Sequence, residues 1–217
     1  MTKWIESQQD LLQGIKGFLD AAEGRMLYDL AAEAGPSGPC LEVGSYCGKS
    51  TVYIGTACRE SRSVLYSIDH HKGSEEQQPG EEYFDPKLFD YQTFQVDTFK
   101  TFQETLARAD LQETVVPLVC RSDVAARSWT MKLAMVFIDG GHAADTVRLD
   151  YALWARHVMP GGFLVFHDIF PDPEDGGQAP YDVYQTAIAS GHFKEEPMVK
   201  SLGILRRKSE PAHSHSS

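Results

Sequence analysis

The chain has 217 residues, of which 42% are hydrophobic, so it can bury one substantial core, and a single domain is expected. Its 31 Asp and Glu outnumber its 20 Lys and Arg, which gives a formal net charge of −11. A surface of that sign repels phosphate backbones, so nucleic acid is not expected as a partner.

The first 34 residues are predicted to form an N-terminal helical extension. Apolar residues recur there at spacings near 3.6, between charged and polar ones, which is the pattern of an amphipathic helix. The apolar face is expected to cover the sheet or a second copy of the chain, so a homodimer is one expected assembly. The residues of this pattern are Trp4, Ile5, Leu11, Leu12, Ile15, Phe18 and Leu19.

Export and membrane insertion are not expected. Residues 1–20 lack a basic start followed by an apolar run, and no stretch approaches the roughly 18 apolar residues of a membrane span. The cysteines form no Cys-x-x-Cys pair and have no histidines at zinc-like spacing, which favours reduced thiols. The sequence therefore predicts a cytoplasmic protein without membrane partners. The cysteines are Cys40, Cys47, Cys58 and Cys120.

From residue 35 to residue 208, short apolar strands alternate with amphipathic helices. This alternation is typical of an α/β domain, here a Rossmann-like, doubly wound sheet with helices on both faces. Pro160-Gly161-Gly162 is interpreted as the turn into the last parallel strand, and Gly203 as the break in a terminal hairpin over 197–207. The predicted strands are 40–43, 64–69, 115–120, 133–139 and 163–168, and the predicted helices are 49–60, 98–109 and 143–157.

Two polar loops interrupt this pattern at predicted strand ends. Residues 70–91 are acidic and rich in Gly and Pro, and they form either a lid or a mobile linker. Their late aromatic residues, Tyr83, Phe84 and Tyr91, either line an acceptor pocket or anchor the loop. Residues 171–181 are the second candidate acceptor loop, and residues 209–217 are predicted to be a disordered tail.

A glycine loop follows the first predicted strand, in the pattern Glu42-x-Gly44-x-x-x-Gly48-x-Ser50. Gly44 would let the backbone lie close to a ligand, Gly48 would allow a tight entry into the next helix, and Ser50 or Thr51 could satisfy free amides at the helix start. The spacing matches neither a Walker loop nor Gly-x-Gly-x-x-Gly, so a nucleotide phosphate stays an alternative ligand.

Asp69 ends the next predicted strand, about 20 residues after the loop, where an acid can accept both hydrogen bonds of a ribose diol. The loop and this acid together predict a site for an adenosine without a 2′-phosphate. The alternative is structural, with Glu42 capping a neighbouring helix and Asp69 starting a turn.

Two later strands end in further polar residues, Asp139 with His142 and His167 with Asp168. In open α/β sheets the ligand lies outside the carboxyl ends of the strands, so these residues indicate a reaction site. His142 can take a proton near neutral pH, while Asp139 could orient it or hold a cation, with Asp168 as a second oxygen ligand. In the structural alternative, Asp139 caps a helix, His142 is a helix-start hydrogen bonder and His167 is a buried histidine.

These motifs resemble the class I S-adenosylmethionine-dependent methyltransferases. The spacing of Asp139-Gly-Gly-His142, Asp150, Trp154 and His167-Asp168 resembles the branch that contains macrolide-sugar O-methyltransferases and cephalosporin-cluster proteins, over roughly residues 38–170. The resemblance implies a seven-stranded sheet whose last strand is antiparallel. Asp150 and Trp154 themselves are interpreted as packing and capping residues. The predicted cofactor-binding residues are Glu42, Gly44, Ser45, Gly48, Ser50, Asp69, His70, Ser122, Asp123 and Asp139.

The resemblance also implies a divalent metal, held by acids at the two strand ends, and a histidine as base. In this chain His167 stands where metal-dependent relatives often have an acid, so the third protein ligand is either missing or is His167. A histidine ligand would favour manganese or zinc over magnesium. The predicted metal ligands are Asp139, His167 and Asp168, and the predicted catalytic residues are His142 and Asp139.

The function predicted from the sequence is O-methyl transfer from S-adenosylmethionine to a small hydroxylated acceptor, assisted by a divalent metal. One alternative is a non-catalytic module that binds S-adenosylmethionine or S-adenosylhomocysteine and partners a biosynthetic enzyme. A nucleotide-binding oxidoreductase or kinase-like protein is disfavoured by the incomplete phosphate loop.

Overall fold

The structure is a computed structural model that describes residues 9–141 and 143–209. Trp4 and Ile5 of the amphipathic pattern, the predicted base His142 and most of the predicted tail lie outside the described residues. No helix within the described ranges is both long and apolar enough to cross a membrane.

One large sheet and one small hairpin contain the strands of the described chain. The strands are β1 (Cys40–Val43), β2 (Leu65–Ile68), β3 (Phe89–Asp90), β4 (Gln95–Val96), β5 (Val115–Leu118), β6 (Leu133–Ile138), β7 (Val158–Phe166), β8 (Phe193–Val199) and β9 (Leu202–Arg207). The large sheet has the order β5-β2-β1-β6-β7-β9-β8, and β3 pairs with β4. The first five strands of that order are parallel, and β9 is antiparallel to both of its neighbours. The predicted Rossmann-like sheet with an antiparallel last strand is therefore confirmed.

Helices cover both faces of this sheet. Along β6, successive side chains point to opposite faces, so Phe137 packs in one hydrophobic cluster and Ile138 in the other. The first cluster contains Leu27 and Val52, and the second contains Trp154. The helices are α1 (Gln9–Gly14), α2 (Ala21–Ala34), α3 (Lys49–Glu60), α4 (Phe99–Ala109), α5 (Ser122–Ala126), α6 (Ala144–Trp154) and α7 (Ala179–Ala189).

The amphipathic N-terminal pattern is not one helix, which corrects the prediction. Helix α1 ends at Gly14, and Gly17 has a φ of 147°, a backbone conformation that no helix contains. Asp20 then starts α2, because its side chain accepts a hydrogen bond from the Ala22 amide at 2.7 Å. Phe18, between the two helices, is 66% exposed rather than part of an apolar face.

Two predicted breaks lie inside strands. Pro160-Gly161-Gly162 forms an irregularity within β7, between the pairs Leu133–Val158 and Met135–Phe163. A side chain at Gly162 would lie 2.6 Å from the Ala134 carbonyl oxygen, so only glycine permits this close approach. Gly203 likewise lies within β9, since the hairpin turns at Lys200 and Ser201.

Residues 70–91 contain short elements of their own. Two 3₁₀ turns, Glu75–Gln77 and Pro86–Leu88, lead into the hairpin of β3 and β4. The imidazole of His71 is buried and lies 2.8 Å from the Thr98 hydroxyl, so the segment is tied to the start of α4. This attachment positions residues 73–77 above the carboxyl edge of the sheet.

Candidate functional site

A cavity of ≈ 670 Å³ opens at the carboxyl edge of the parallel strands. Its floor comes from the segments that follow β1, β2, β5, β6 and β7, which is where an open α/β sheet binds its ligand. Its outer wall comes from residues 16–19 and from residues 73–77 with Tyr83. Of the predicted site residues, those that line the cavity are Gly44, Ser45, Ser50, Asp69, His70, Ser122, Asp123, Asp139, His167 and Asp168.

Gly44 allows the loop after β1 to pass close to β6. Its φ is 87°, and an added Cβ would lie 2.3 Å from the carbonyl oxygen of Asp139 and 2.8 Å from Cα of Gly140. Any larger residue would push these two loops apart. Gly44 is therefore required both by its backbone conformation and by its surroundings.

Gly48 lies at the tight entry into α3, as predicted, but it does not line the cavity as a cofactor-binding residue would. It precedes α3 with a φ of 91°, and a side chain there would lie 3.1 to 3.2 Å from Thr105 and Phe102. The residue therefore permits close packing of α3 against α4, rather than contact with a ligand.

Asp69 shapes the glycine loop. Its Oδ2 accepts hydrogen bonds from the amides of Ser45 and Tyr46, at 3.0 and 2.8 Å, and its Oδ1 accepts one from the His71 amide at 2.7 Å. A carboxylate has about four acceptor positions, so these three amides leave capacity for a ligand hydroxyl. The turn role expected as the alternative is thus present, and the ribose role stays a prediction.

Glu42 lies behind the cavity wall, contrary to its predicted contact with the cofactor. Its side chain is fully buried and accepts hydrogen bonds from the hydroxyls of Ser50, Thr51 and Ser67. Side chains alternate along β1, so Leu41 and Val43 face the α6 side, whereas Glu42 points beneath α3. Burial raises the pKa of Glu42 to about 7, although the three hydroxyls lower it.

The hydroxyl groups of two other predicted residues, Ser50 and Ser45, differ in whether a protein group already bonds to them. The Ser50 hydroxyl is already donated to Glu42, at 2.5 Å. The Ser45 hydroxyl oxygen is buried and has no hydrogen-bond partner within the described parts of the chain. A buried polar atom without a partner costs free energy unless a ligand or water supplies one, so Ser45 fits a polar ligand group.

At the other end of the cavity, Ser122 and Asp123 begin α5. The Ser122 hydroxyl oxygen accepts a hydrogen bond from the Trp154 indole at 2.7 Å, and Asp123 pairs with Arg121 at 2.8 Å. Asp150, interpreted from the sequence as a packing and capping residue, is 2% exposed and also lines the cavity. Burial raises its pKa to about 6, against a hydrogen bond from Ser122 that lowers it.

His167 lies at the centre of an acidic cluster. Its Nδ1 is 3.1 Å from Oδ1 of Asp139 and 3.3 Å from Oδ2 of Asp168, and its Nε2 is 3.1 Å from Oε2 of Glu23. Burial alone would lower the pKa of His167, but the three carboxylates raise it to about 12. Asp168 has a φ of 58°, an uncommon conformation for a residue with a side chain, and such strain clusters at functional sites.

Glu23 is the member of this cluster that the sequence did not reveal. It belongs to α2, in the region predicted to be an N-terminal extension, and is 3% exposed. The only local signal is the capping box of Asp20 and Glu23, which indicates a helix start. No spacing in the sequence links it to His167, because 144 positions separate them.

The donor set of this cluster fits a metal ion. One donor atom each from Asp139, His167 and Asp168 lies within 4.8 Å of the others. Two carboxylate oxygens and one imidazole nitrogen are ligands that suit manganese or zinc. Metal binding requires a neutral ligating nitrogen, so a cation would replace the proton that Nδ1 shares with the two acids.

The second candidate acceptor loop does not reach the main cavity. None of the residues 171–181 lines it, although Pro180 borders a small cleft beside Asp139 and Asp168. The Gln178 amide group instead donates to the carbonyls of Phe170 and Gly176, which folds the loop against itself. His142 lies outside the described residues, between Gly141, which lines the cavity, and α6.

Several solved structures share this fold. A protein from Corynebacterium glutamicum is 18% identical, with 97% of each chain covered and a TM-score of 0.65. The O-methyltransferase TomG from Streptomyces achromogenes, which is involved in tomaymycin synthesis and was solved with SAM, is 16% identical with a TM-score of 0.61, covering 96% of this chain and 89% of that chain. An O-methyltransferase from Bacillus cereus, solved with SAH, is 12% identical with a TM-score of 0.63, covering 93% and 91%.

At these identities, the likeness of the solved structures establishes the fold. The family is shown by the sequence itself, because residues 41–169 match a methyltransferase domain family. The matched range extends from β1 to just beyond β7 and includes both strand-end motifs. More than half of the chain is matched, so the protein belongs to this methyltransferase family, as the resemblance predicted.

Proposed function

We propose that the protein transfers a methyl group from S-adenosylmethionine to a hydroxyl group of a small acceptor. One observation carries the proposal: Gly44, Ser45, Asp69 and Asp139 lie together on the floor of the cavity, at the carboxyl edge of the sheet. Solved relatives of this fold are O-methyltransferases bound to SAM or SAH, which supports the donor and the reaction class.

The cofactor, when bound, supplies an electrophilic methyl group on a sulfonium with a neutral thioether as the leaving group. The Ser45 hydroxyl offers a polar contact to it, and Asp69 holds the loop and can accept from a ribose hydroxyl. The acceptor hydroxyl must approach in line with the methyl group and lose its proton. His142 is proposed to take that proton, since imidazole is an effective base near neutral pH.

We propose further that a divalent cation assists this step. Asp139, His167 and Asp168 would hold it, and a cation there would acidify the acceptor hydroxyl. The presence of imidazole among the ligands favours manganese or zinc over magnesium. In this proposal Asp139 belongs to both the cofactor site and the metal site. An acceptor oxygen bound at the metal would therefore lie close to the methyl group.

Cofactor binding and turnover test the proposal together. Calorimetry should show that the purified protein binds S-adenosylmethionine, and a panel of phenols, catechols and sugars should contain a methylated product. We expect His142→Ala to lower kcat/KM about 100-fold or more, because general-base catalysis contributes at least that much, while cofactor affinity changes little.

His192→Ala serves as the control, since His192 is an exposed histidine at the turn before β8, outside the cavity lining. Equal loss of activity in both variants, or no loss at His142, would remove His142 from the mechanism. Tight cofactor binding without turnover on any acceptor would favour the non-catalytic binding module instead.

A further inference from the structure

Glu23 connects the N-terminal part of the chain to the metal site proposed above. Its carboxylate reaches across from α2, and Oε2 lies 3.1 Å from Nε2 of His167. Both side chains are nearly inaccessible to solvent, with exposures of 3% for Glu23 and 7% for His167. The capping box accounts for the hydrogen bond between Glu23 and the Asp20 amide but not for the contact of Glu23 with His167.

The position of the Glu23 carboxylate is fixed independently of His167. Its Oε1 accepts hydrogen bonds from the amide and hydroxyl of Ser201, at 3.0 and 2.7 Å. Its Oε2 accepts one from the Asp20 amide at 3.1 Å. Ser201 and Asp20 thus hold both oxygens of the Glu23 side chain from outside the cluster.

This fixed carboxylate determines which nitrogen of His167 is available. Nε2 is committed to donating its proton to Glu23, so Nδ1 is the ring nitrogen that faces Asp139 and Asp168. Metal-binding histidines commonly donate their second ring N–H to a carboxylate, which fixes the tautomer and strengthens the ligand. The Glu23–His167 pair has this geometry.

We propose that Glu23 is a positioning residue for the metal site: it holds Nε2–H of His167 so that Nδ1, Asp139 and Asp168 converge on a manganese- or zinc-class cation. This inference rests on the proposed metal-assisted function. It adds a residue from outside the matched family range 41–169, and it makes the docking of α2 part of the site.

Manganese binding tests the role of Glu23 without an activity assay. The full chain, stripped with a chelator and saturated with S-adenosylhomocysteine, is titrated with Mn²⁺ while electron paramagnetic resonance measures the free ion. Glu23→Gln retains the length and capping ability of the side chain but loses its charge. We expect Glu23→Gln to bind Mn²⁺ about 10- to 100-fold more weakly than the wild type, the usual cost of losing such a partner.

Glu33→Gln is the matched control, since Glu33 lies on the same helix and pairs with Arg206 at 2.8 Å, away from the cluster. It should bind Mn²⁺ like the wild type. Thermal denaturation should show Glu23→Gln to be less stable than Glu33→Gln, because the Gln amide nitrogen cannot accept the hydrogen bond that the Ser201 amide donates to Oε1. Both Mn²⁺ titrations are therefore run well below the lower of the two melting temperatures, where both variants are folded.

A double variant separates positioning from a general charge effect. If Glu23 acts through His167, then Glu23→Gln combined with His167→Gln should bind Mn²⁺ as weakly as His167→Gln alone. Additive losses in the double variant would show that Glu23 acts through its charge and not through His167, and wild-type Mn²⁺ affinity in Glu23→Gln would show that Glu23 is only a helix cap. Absence of Mn²⁺ binding by the wild type would also overturn the inference, whereas the methyltransferase proposal would fail only if cofactor binding or turnover were absent.

Discussion

A single missing side chain at Gly44 lets two loops of the site lie against each other. The space that a Cβ would need is occupied by the backbone of Asp139 and Gly140. Gly44 therefore fixes the distance between the glycine loop and Asp139, the acid proposed to face the methyl group. The same contact explains why the loop pattern and the Asp139 motif belong to one site.

We expect Gly44→Ala to weaken S-adenosylhomocysteine binding at least tenfold, because the displaced loop moves the Ser45 hydroxyl and the amides held by Asp69. Gly191→Ala is the control, since Gly191 also has a positive φ, 74°, but nothing lies within 4 Å of an added Cβ. Both variants incur a similar backbone strain of roughly 1 kcal/mol. Calorimetry on the two variants should separate them, and equal affinities would contradict the role assigned to Gly44.

Residues at strand ends could be predicted from the sequence, but side-chain direction and distant partners could not. Gly44, Asp69 and Asp139 line the cavity because parallel strands end at one edge of a sheet. Glu42 belongs to the same motif, yet the alternation along β1 turns it away from the edge. Glu23 has no motif of its own, and only the folded chain brings it to His167.

At the scale of elements, two irregular segments meet above the cavity. The ring of Phe18, between α1 and α2, packs edge-on against Tyr83 of the 70–91 segment, with centroids 5.1 Å apart. Lys16 pairs with Asp85 between the same two segments, and Lys49 donates to the Gly17 carbonyl at 3.2 Å. Phe18 and Tyr83 both line the cavity, so the two segments form a joint outer wall.

We expect Phe18→Ala to raise the KM for the acceptor several-fold, with kcat little changed. The ring is 66% exposed and belongs to the outer wall of the cavity rather than to the floor that carries Asp139, so its loss removes binding area rather than chemistry. Phe94→Ala is the control, because Phe94 is 77% exposed at the tip of the β3–β4 hairpin and does not line the cavity. Steady-state kinetics with a fixed saturating cofactor concentration would measure both; a fall in kcat alone would contradict a wall role.

Regular elements were predicted more closely than irregular ones. Helix α3 has the predicted bounds 49–60, because its apolar period is uninterrupted and Gly48 marks its start. The N-terminal pattern gave a wrong prediction of one helix, because its apolar period continues through Gly17 although the backbone there is not helical. Pro160 to Gly162 has the composition of a turn, but the neighbouring β6 backbone holds it within β7 as a bulge.

At the scale of the whole molecule, the buried Glu42 couples folding to pH. In the folded protein its pKa is about 7, compared with 4.5 for an ordinary glutamate. Between these values the folded state binds more protons than the unfolded chain, so stability decreases as pH rises through this window. The contribution of Glu42 protonation to the free energy of unfolding is complete below pH 4.5 and is lost above pH 7.

We expect Glu42→Gln to remove this dependence. Between pH 5 and pH 8 the wild type should lose on the order of 2 to 3 kcal/mol more unfolding free energy than the variant. Glu104→Gln, which changes an exposed acid on α4, should follow the wild type. Urea denaturation at both pH values provides the measurement, and parallel curves for wild type and Glu42→Gln would show that the carboxyl is not the source.

The predicted homodimer and cytoplasmic location stay predictions.

The hydrogen bond between Ser201 and Glu23 has a consequence for biosynthesis. It joins residues 178 positions apart, and through Glu23 it supports His167. A chain emerging from the ribosome completes β1, β2 and the glycine loop long before residue 201 is available, and closing so long a loop is slow. The strands up to β7 can therefore assemble before the last hairpin docks, whereas Glu23, the support of the proposed cation site, gains its contact with Ser201 only afterwards.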